Sequence, residues 1–222
     1  MSNSSEPLTA APRRVAFDAP ALAVQARSLR DLVGSRVVLG ITGPPGAGKS
    51  TVTGRLLTEL GPDAVLVPMD GFHLSNRVLR DKHALDRKGA PDTFDTAGYL
   101  ALLDRIRTCT DDVVYAPSFR REIEEPIAND IAVPSDVTIV LTEGNYLLTQ
   151  SHGWSGVRER LDEVWFVEVD SGVRLERLTA RHATFGKDPE AARRWANGPD
   201  EANARLVNET RDLADVVILL GD

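Results

Sequence analysis

The segment from Gly43 to Thr51 constrains the chain more than any other, because its spacing is that of a phosphate-binding loop. It reads Gly-Pro-Pro-Gly-Ala-Gly-Lys-Ser-Thr and completes the pattern G-x-x-x-x-G-K-[ST]. The apolar run 36–42 before it predicts a buried strand, and the apolar spacing of 52–60 predicts a helix. A strand, this loop and a helix in that order are typical of a P-loop. The alternative, a glycine-rich turn with an unrelated lysine, does not account for this context.

Such a loop binds phosphate through its backbone and through two side chains. Glycines let successive N–H groups curl around an anion, and the following helix adds the positive end of its dipole. We expect Lys49 to reach the β- and γ-phosphates and to be solvated in the empty protein, and Ser50 to hold Mg²⁺ through its hydroxyl. The predicted nucleotide contacts in the loop are Gly43, Pro44, Pro45, Gly46, Ala47, Gly48, Lys49, Ser50 and Thr51.

Composition limits the classes of partner. A chain of 222 residues with net charge −7 fits one α/β domain and argues against a general electrostatic attraction to nucleic acid or anionic membranes. The single cysteine, Cys109, excludes an internal disulfide and indicates a cytoplasmic location; we expect it to be buried in a helix. The sequence has no apolar run long enough to cross a bilayer and no signal-peptide pattern.

The order of apolar runs along the chain predicts the fold class. Strands are expected at 37–42, 64–69, 113–116, 137–142, 163–169 and 216–220, and helices at 20–33, 52–60, 95–108, 171–184 and 200–213. Continuous apolar strands that alternate with helices indicate a parallel sheet covered on both faces. We therefore predict an α/β P-loop NTPase fold, a three-layer sandwich with a mainly parallel five-stranded core sheet and a helical lid at about 172–199. A flexible segment is expected at 1–18 and a single domain at 19–222.

Acidic residues follow two of the predicted strands directly. Asp70 comes after the strand at 64–69, and Glu143 comes after the strand at 137–142. Ligands of open α/β sheets bind beyond the carboxyl ends of the strands. Phosphoryl transfer to an alcohol needs a base for the hydroxyl proton and a carboxylate for Mg²⁺ and its waters. We assign the base to Asp70 and the metal role to Glu143, with a turn-capping or helix-capping acid as the alternative for each.

Other polar residues near these strand ends are candidates for substrate contact. His73 closes the run Asp-Gly-Phe-His and could donate to a substrate; a histidine packed in the turn is the alternative. Asn145 and Tyr146 follow Glu143. Arg120 and Arg121, in a charged loop at 118–125, could hold substrate oxygens, or could form a solvated surface pair. These five residues are the predicted substrate-binding set.

Three arginines share one face of the helix predicted at 171–184. Arg174, Arg177 and Arg181 are spaced at i, i+3 and i+7. A cationic face of this kind suits a lid that stabilises charge on a transferring phosphoryl group, and a solvated face is the alternative. We expect Arg181 to be catalytic, Arg177 to contact the nucleotide, and Arg174, nearest the helix start, to contribute least.

Together these motifs resemble the phosphoribulokinase/uridine kinase family, which includes the bacterial type of pantothenate kinase. The resemblance covers about 37–220, and its distinctive pieces are the P-loop, Pro68–Leu74, Lys88–Asp95, Tyr115–Glu122 and Thr142–Leu147. It implies a catalytic aspartate at Asp70, an acidic strand end at Glu143, a lid arginine near Arg177 or Arg181, and substrate contacts around His73, Arg120 and Arg121. It also implies ATP and Mg²⁺ as cofactors.

The expected function is therefore a kinase that phosphorylates a hydroxyl of a small metabolite: a nucleoside, a sugar or a pantothenate-like compound. The alternatives left open are a nucleotide-binding regulatory ATPase and a GTPase-like switch without an acceptor. Asp70 argues against the former, and the absence of an Asn-Lys-x-Asp run argues against the latter. A small-molecule substrate is the expected partner, neither nucleic acid nor membrane is, and a homodimer is left open.

Overall fold

The computed structural model describes residues 11–108, 110–186 and 188–221. Cys109 and the first ten residues of the predicted flexible segment lie outside this range. The strands of the described part are β1 (Arg13–Ala16), β2 (Val37–Thr42), β3 (Ala64–Leu66), β4 (Val113–Arg120), β5 (Glu125–Pro134), β6 (Ile139–Gly144), β7 (Glu163–Glu168) and β8 (Val216–Leu219). The α-helices of the same ranges are α1 (Ala19–Val33), α2 (Lys49–Leu60), α3 (Asn76–Asp81), α4 (Thr96–Thr108), α5 (Ser171–Thr184), α6 (Pro189–Trp195) and α7 (Glu201–Asn208).

A parallel sheet forms the centre of the molecule. Over the described ranges it has six strands in the order β1-β8-β7-β2-β6-β3, so the predicted class is confirmed with one strand more than the five expected. The four inner strands β2, β6, β7 and β8 are almost entirely buried, and alternate residues along them enter two separate apolar clusters. α1 and α2 cover one face of the sheet, and α4 covers the other. Burial on both faces explains why these strands read as continuous apolar runs.

The additional strand is β1. Residues 13–16, which the sequence assigned to a flexible segment, pair in parallel with β8, from Arg13 beside Val216 to Ala16 beside Leu219. The prediction is therefore wrong for these four residues. Their side chains are mostly exposed, so it is the backbone pairing with β8 that holds them in place. Backbone pairing leaves no apolar pattern in the sequence, and the strand therefore could not be predicted from one.

The charged segment after β4 is also more ordered than predicted. Instead of a short strand and a long loop, β4 and β5 form an antiparallel hairpin, with a register shift between Ala116 and Ser118. Its turn spans 121–124. Gly71 packs against the hairpin so closely that a Cβ there would lie 2.3 Å from the backbone oxygen of Pro117. This approach brings the hairpin turn to the carboxyl end of β3.

Candidate active site

The P-loop connects β2 to α2 and lies at the carboxyl edge of the sheet. Gly48 is the N-cap of α2 with a left-handed backbone (φ 95°), a conformation that glycine adopts without strain. A Cβ on Gly46 (φ 80°) would lie 2.7 Å from Cγ of Leu178 and 2.9 Å from the backbone oxygen of Arg174. Helix α5 is therefore packed directly onto the loop. The first N–H groups of α2 lack intrahelical partners, so the loop offers donors to an anion.

Lys49 is held by the loop itself. Its Nζ donates to the backbone oxygens of Gly43 (2.9 Å) and Pro44 (3.1 Å). It also donates to Oδ1 of Asn145 (2.6 Å). Burial lowers the pKa of Lys49 to about 8, against the opposing charge of Glu143. The expectation of a solvated ammonium is therefore wrong, and the Asn145 side chain faces this lysine, on the phosphate side of the site.

Ser50 and Glu143 are adjacent, as a shared metal role requires. Oγ of Ser50 donates to one carboxylate oxygen of Glu143 at 3.0 Å, and Oγ1 of Thr53 donates to the other at 3.1 Å. These are hard oxygen donors, and Mg²⁺ typically takes only one or two protein ligands beside phosphate and water. The donor set therefore fits Mg²⁺. The sequence reasoning missed Thr53, although it lies three residues after Ser50 and so on the same side of α2.

Asp70 lies beyond β3, in a 3₁₀ turn over Met69–Phe72. Strand β3 ends at Leu66, earlier than predicted, but β6 lies between β3 and β2, so the three strand ends share one edge. An oxygen of Asp70 lies 3.3 Å from Nη2 of Arg121 in the hairpin turn, and both side chains are partly exposed. The negative charge of Asp70 also acts on Lys49, where it opposes the lowering of the pKa. The fold thus brings the base candidate Asp70 close to Lys49 of the P-loop and to Arg121.

His73 and Tyr146 are fixed by packing near Asp70. Nδ1 of His73 lies 2.8 Å from the backbone oxygen of Asp70, and its ring lies between Phe94 (centroids 4.0 Å apart) and Phe119 (4.6 Å). Since a backbone oxygen only accepts, Nδ1 carries the proton, and burial lowers the pKa of His73. The Tyr146 side chain is buried and donates to a backbone oxygen, and burial raises its pKa. This geometry agrees with the alternative given for His73 in the sequence analysis, a histidine packed in the turn.

The three arginines of α5 do not share one solvent-facing surface. Arg174 is 2% exposed; its guanidinium pairs with Glu201 and donates to the backbone oxygen of Pro45 at 3.4 Å. It supports the P-loop, and the expectation that it contributes least to turnover stays a prediction. Arg177 is exposed, and its Nη1 lies 3.6 Å from the position that a Cβ would take at Gly48.

Arg181 lies in the last turn of α5, near enough to Asp70 and Arg121 for their charges to act on it. Burial and the charge of Arg121 lower its pKa, while Asp200 and Asp70 oppose this change. Of the two hairpin arginines, Arg121 faces the site, whereas Arg120 is 58% exposed at its side chain and lies 3.8 Å from Asp130. The structure therefore does not bring Arg120 to the other candidate residues.

Comparisons with known proteins show to which family the chain belongs. No model of a known protein family matches the chain. A candidate uridine kinase of Schizosaccharomyces pombe is 33% identical over 195 residues, which cover 82% of this chain and 83% of that protein. The chain belongs to the phosphoribulokinase/uridine kinase family. A crystal structure of a candidate fructose transport system kinase from Silicibacter sp. is 34% identical and superposes with a TM-score of 0.81, covering 93% of this chain and all (100%) of that one.

A further relative matches over a shorter region. A pantothenate kinase of Rhizobium leguminosarum is 35% identical over 123 residues, which cover 53% of this chain and 37% of that protein. The members of the family that this chain resembles thus carry names for different acceptors. Among the described helices none is long and apolar enough to span a membrane.

Proposed function

We propose that the chain is an ATP- and Mg²⁺-dependent kinase that transfers the γ-phosphoryl group to a hydroxyl of a small metabolite. One observation carries this proposal: the Asp70 carboxylate lies at the same edge of the sheet as the P-loop, near enough for its charge to act on Lys49. A nucleotide-binding protein without an acceptor has no use for a base there. A cytoplasmic location is part of the proposal and rests on cysteine usage.

One group of site residues binds the nucleotide. Lys49 moves from the loop oxygens to the β- and γ-phosphates, and Arg177, beside Gly48, contacts the nucleotide from the lid. Ser50 and Glu143 would hold Mg²⁺, which neutralises charge on the β- and γ-phosphate oxygens when bound. Helix α5, which packs against Gly46 of the P-loop, excludes water from this side of the site.

Transfer itself needs one proton acceptor and charge stabilisation. The acceptor oxygen forms its bond to the γ-phosphorus as the bond from that phosphorus to the β–γ bridging oxygen breaks, and ADP leaves with the electron pair. Asp70 takes the hydroxyl proton. Arg181, whose guanidinium has five donors, stabilises the charge on the transferring group.

The experiment is ADP release measured with ATP or GTP, with and without candidate acceptors, for the wild type and Asp70→Asn. We expect acceptor-dependent ADP release from ATP, and a decrease of about 10²-fold or more in Asp70→Asn while ATP-analogue affinity stays within a few-fold. Asp136→Asn is the matched control, since Asp136 is exposed and precedes β6 at the opposite edge of the sheet. ADP release that no acceptor stimulates would favour a regulatory ATPase, and preference for GTP would favour a switch. Loss of analogue binding in Asp70→Asn would make Asp70 a metal ligand.

A further inference from the structure

Arg181 is a partly buried guanidinium near several carboxylates. Within the described residues its guanidinium forms no hydrogen bond and no ion pair, although three carboxylates are near enough to affect its pKa. Each of these carboxylates has another partner: Asp70 has Arg121 at 3.3 Å, Asp200 has His182 at 2.6 Å, and Glu124 has Lys88 at 4.0 Å. Asp200 is neutralised by His182 only when that histidine is protonated, so the distinctive property of Arg181 is that its N–H donors have no partner among the described residues.

A second guanidinium lies beside it. The positive charge of Arg121 is the largest electrostatic contribution to the lowered pKa of Arg181, so the two groups repel each other. They come from separate elements, the hairpin turn and α5, and Arg121 also contacts Asp70 at 3.3 Å. Repulsion between like charges at a partly buried site costs free energy in the empty protein, and such an arrangement is typical of a functional site. An anion bound at Arg121 reduces this cost.

We propose that Arg121, which contacts Asp70 at the carboxyl edge of the sheet, binds an anionic group of the acceptor, so that the acceptor is a hydroxyl compound with a carboxylate or a phosphate ester. This inference rests on the proposed kinase function and names its substrate class. It excludes neutral nucleosides and free sugars as the preferred acceptors. Arg121 is then a specificity-determining residue, because a planar guanidinium binds either anion through two parallel hydrogen bonds.

The Asp70–Arg121 contact links acceptor charge to the base. In the empty site the carboxylate that should accept the hydroxyl proton is paired with Arg121. An anionic acceptor offers Arg121 a replacement of the same charge, and Asp70 is released toward the hydroxyl of that acceptor. A neutral acceptor has no group that replaces a carboxylate, so Arg121 stays on Asp70. Acceptor charge therefore affects both binding and turnover.

The test uses pairs of acceptors that differ in the anionic group: glycerate and glycerol, pantothenate and panthenol, fructose 6-phosphate and fructose. The first two pairs probe a carboxylate, and the third probes a phosphate ester. Binding is measured by calorimetry in a buffer without phosphate or sulfate, with a saturating non-hydrolysable ATP analogue, and ADP release is measured in parallel. The proteins are the wild type, Arg121→Gln and, as matched control from the same hairpin, Arg120→Gln.

We expect the anionic member of at least one pair to bind the wild type and Arg120→Gln about 10- to 100-fold more tightly than the neutral member. Arg121→Gln should lose this preference while its ATP-analogue affinity is unchanged and its melting temperature is no lower than that of the wild type. Tighter binding of the neutral members, no preference in any pair, or a preference that survives in Arg121→Gln would overturn the inference. Asp70-dependent transfer to a neutral acceptor would overturn it and leave the kinase function standing, whereas acceptor-independent ADP release counts against the kinase function itself.

Discussion

Replacement of Arg174 by alanine should weaken both the fold and the phosphate site. Its guanidinium connects Glu201 of α7 to the backbone oxygen of Pro45 in the P-loop, and its own backbone lies against Gly46. Alanine removes both contacts and the packing of the long side chain. Glu201 then loses its partner, and the P-loop loses a support on the side of α5.

The size of the effect follows from burial. Removal of one partner from a fully buried ion pair costs about 3–5 kcal/mol. The Arg174 side chain is 3% exposed, but Glu201 is 29% exposed and can recover hydration, so we expect a smaller decrease, about 2–3 kcal/mol, in the free energy of unfolding. For a domain of this size 1 kcal/mol changes Tm by about 2–4 °C, which gives a decrease of about 4–12 °C.

The assay is thermal unfolding followed by circular dichroism, together with binding of a non-hydrolysable ATP analogue. Arg177→Ala is the matched control, because Arg177 is exposed on the same helix. Its Tm should stay within about 1 °C of the wild type, as is usual for surface substitutions. Arg177→Ala serves as a control for Tm only, because Arg177 is assigned to the nucleotide. The reasoning is refuted if Arg174→Ala keeps both the wild-type Tm and the wild-type analogue affinity, since the ion pair would then contribute nothing that the fold or the P-loop needs.

Three further changes test other parts of the site. Because burial lowers the pKa of Lys49 to about 8 and phosphate needs the charged ammonium, kcat/KM for ATP should decrease above about pH 8. In a pH series of initial rates kcat should stay level to higher pH, where bound phosphate retains the proton; a flat kcat/KM profile would contradict this. Gly71→Ala places a Cβ 2.3 Å from the Pro117 backbone oxygen and should lower Tm by about 5 °C or more, whereas Gly54→Ala, with nothing within 4 Å, should not lower it. Arg181→Ala should lower kcat by about 10-fold or more with less change in the acceptor KM, and steady-state kinetics with equal effects on both would argue against a transition-state contact.

The shared edge of the site could be predicted from the sequence because it follows from strand geometry alone. Parallel strands expose their carboxyl ends on one side, and Asp70, Glu143 and the P-loop each follow an apolar run. The adjacency of Ser50 and Glu143 needed one further condition, that β2 and β6 are neighbours, with Ile41 beside Glu143. Short-range patterns are therefore sufficient to predict the shared edge, whereas the contact between Ser50 and Glu143 also depends on the order of the strands in the sheet.

Contacts between distant segments could not be predicted in this way. Periodicity correctly placed three arginines at related positions on α5, but which of them is buried depends on α7, whose Glu201 faces Arg174. Asn145 was expected at the substrate, yet its amide binds Lys49, because the loop folds the lysine back. The β4–β5 hairpin was missed because Pro117 and the charges around Arg121 look like a loop when cross-strand pairing is unknown.

The position of β1 has a consequence for biosynthesis. Its partner β8 follows about 200 residues later in the chain, so at about 5–20 residues per second the ribosome takes about 10–40 s to supply that partner. During this time an unpaired strand edge is a site for association with other nascent chains. β1 is only four residues long and carries Arg13 and Arg14, features that oppose such pairing. The short and basic sequence of β1, which the sequence analysis did not predict as a strand, thus opposes aggregation of the unfinished protein.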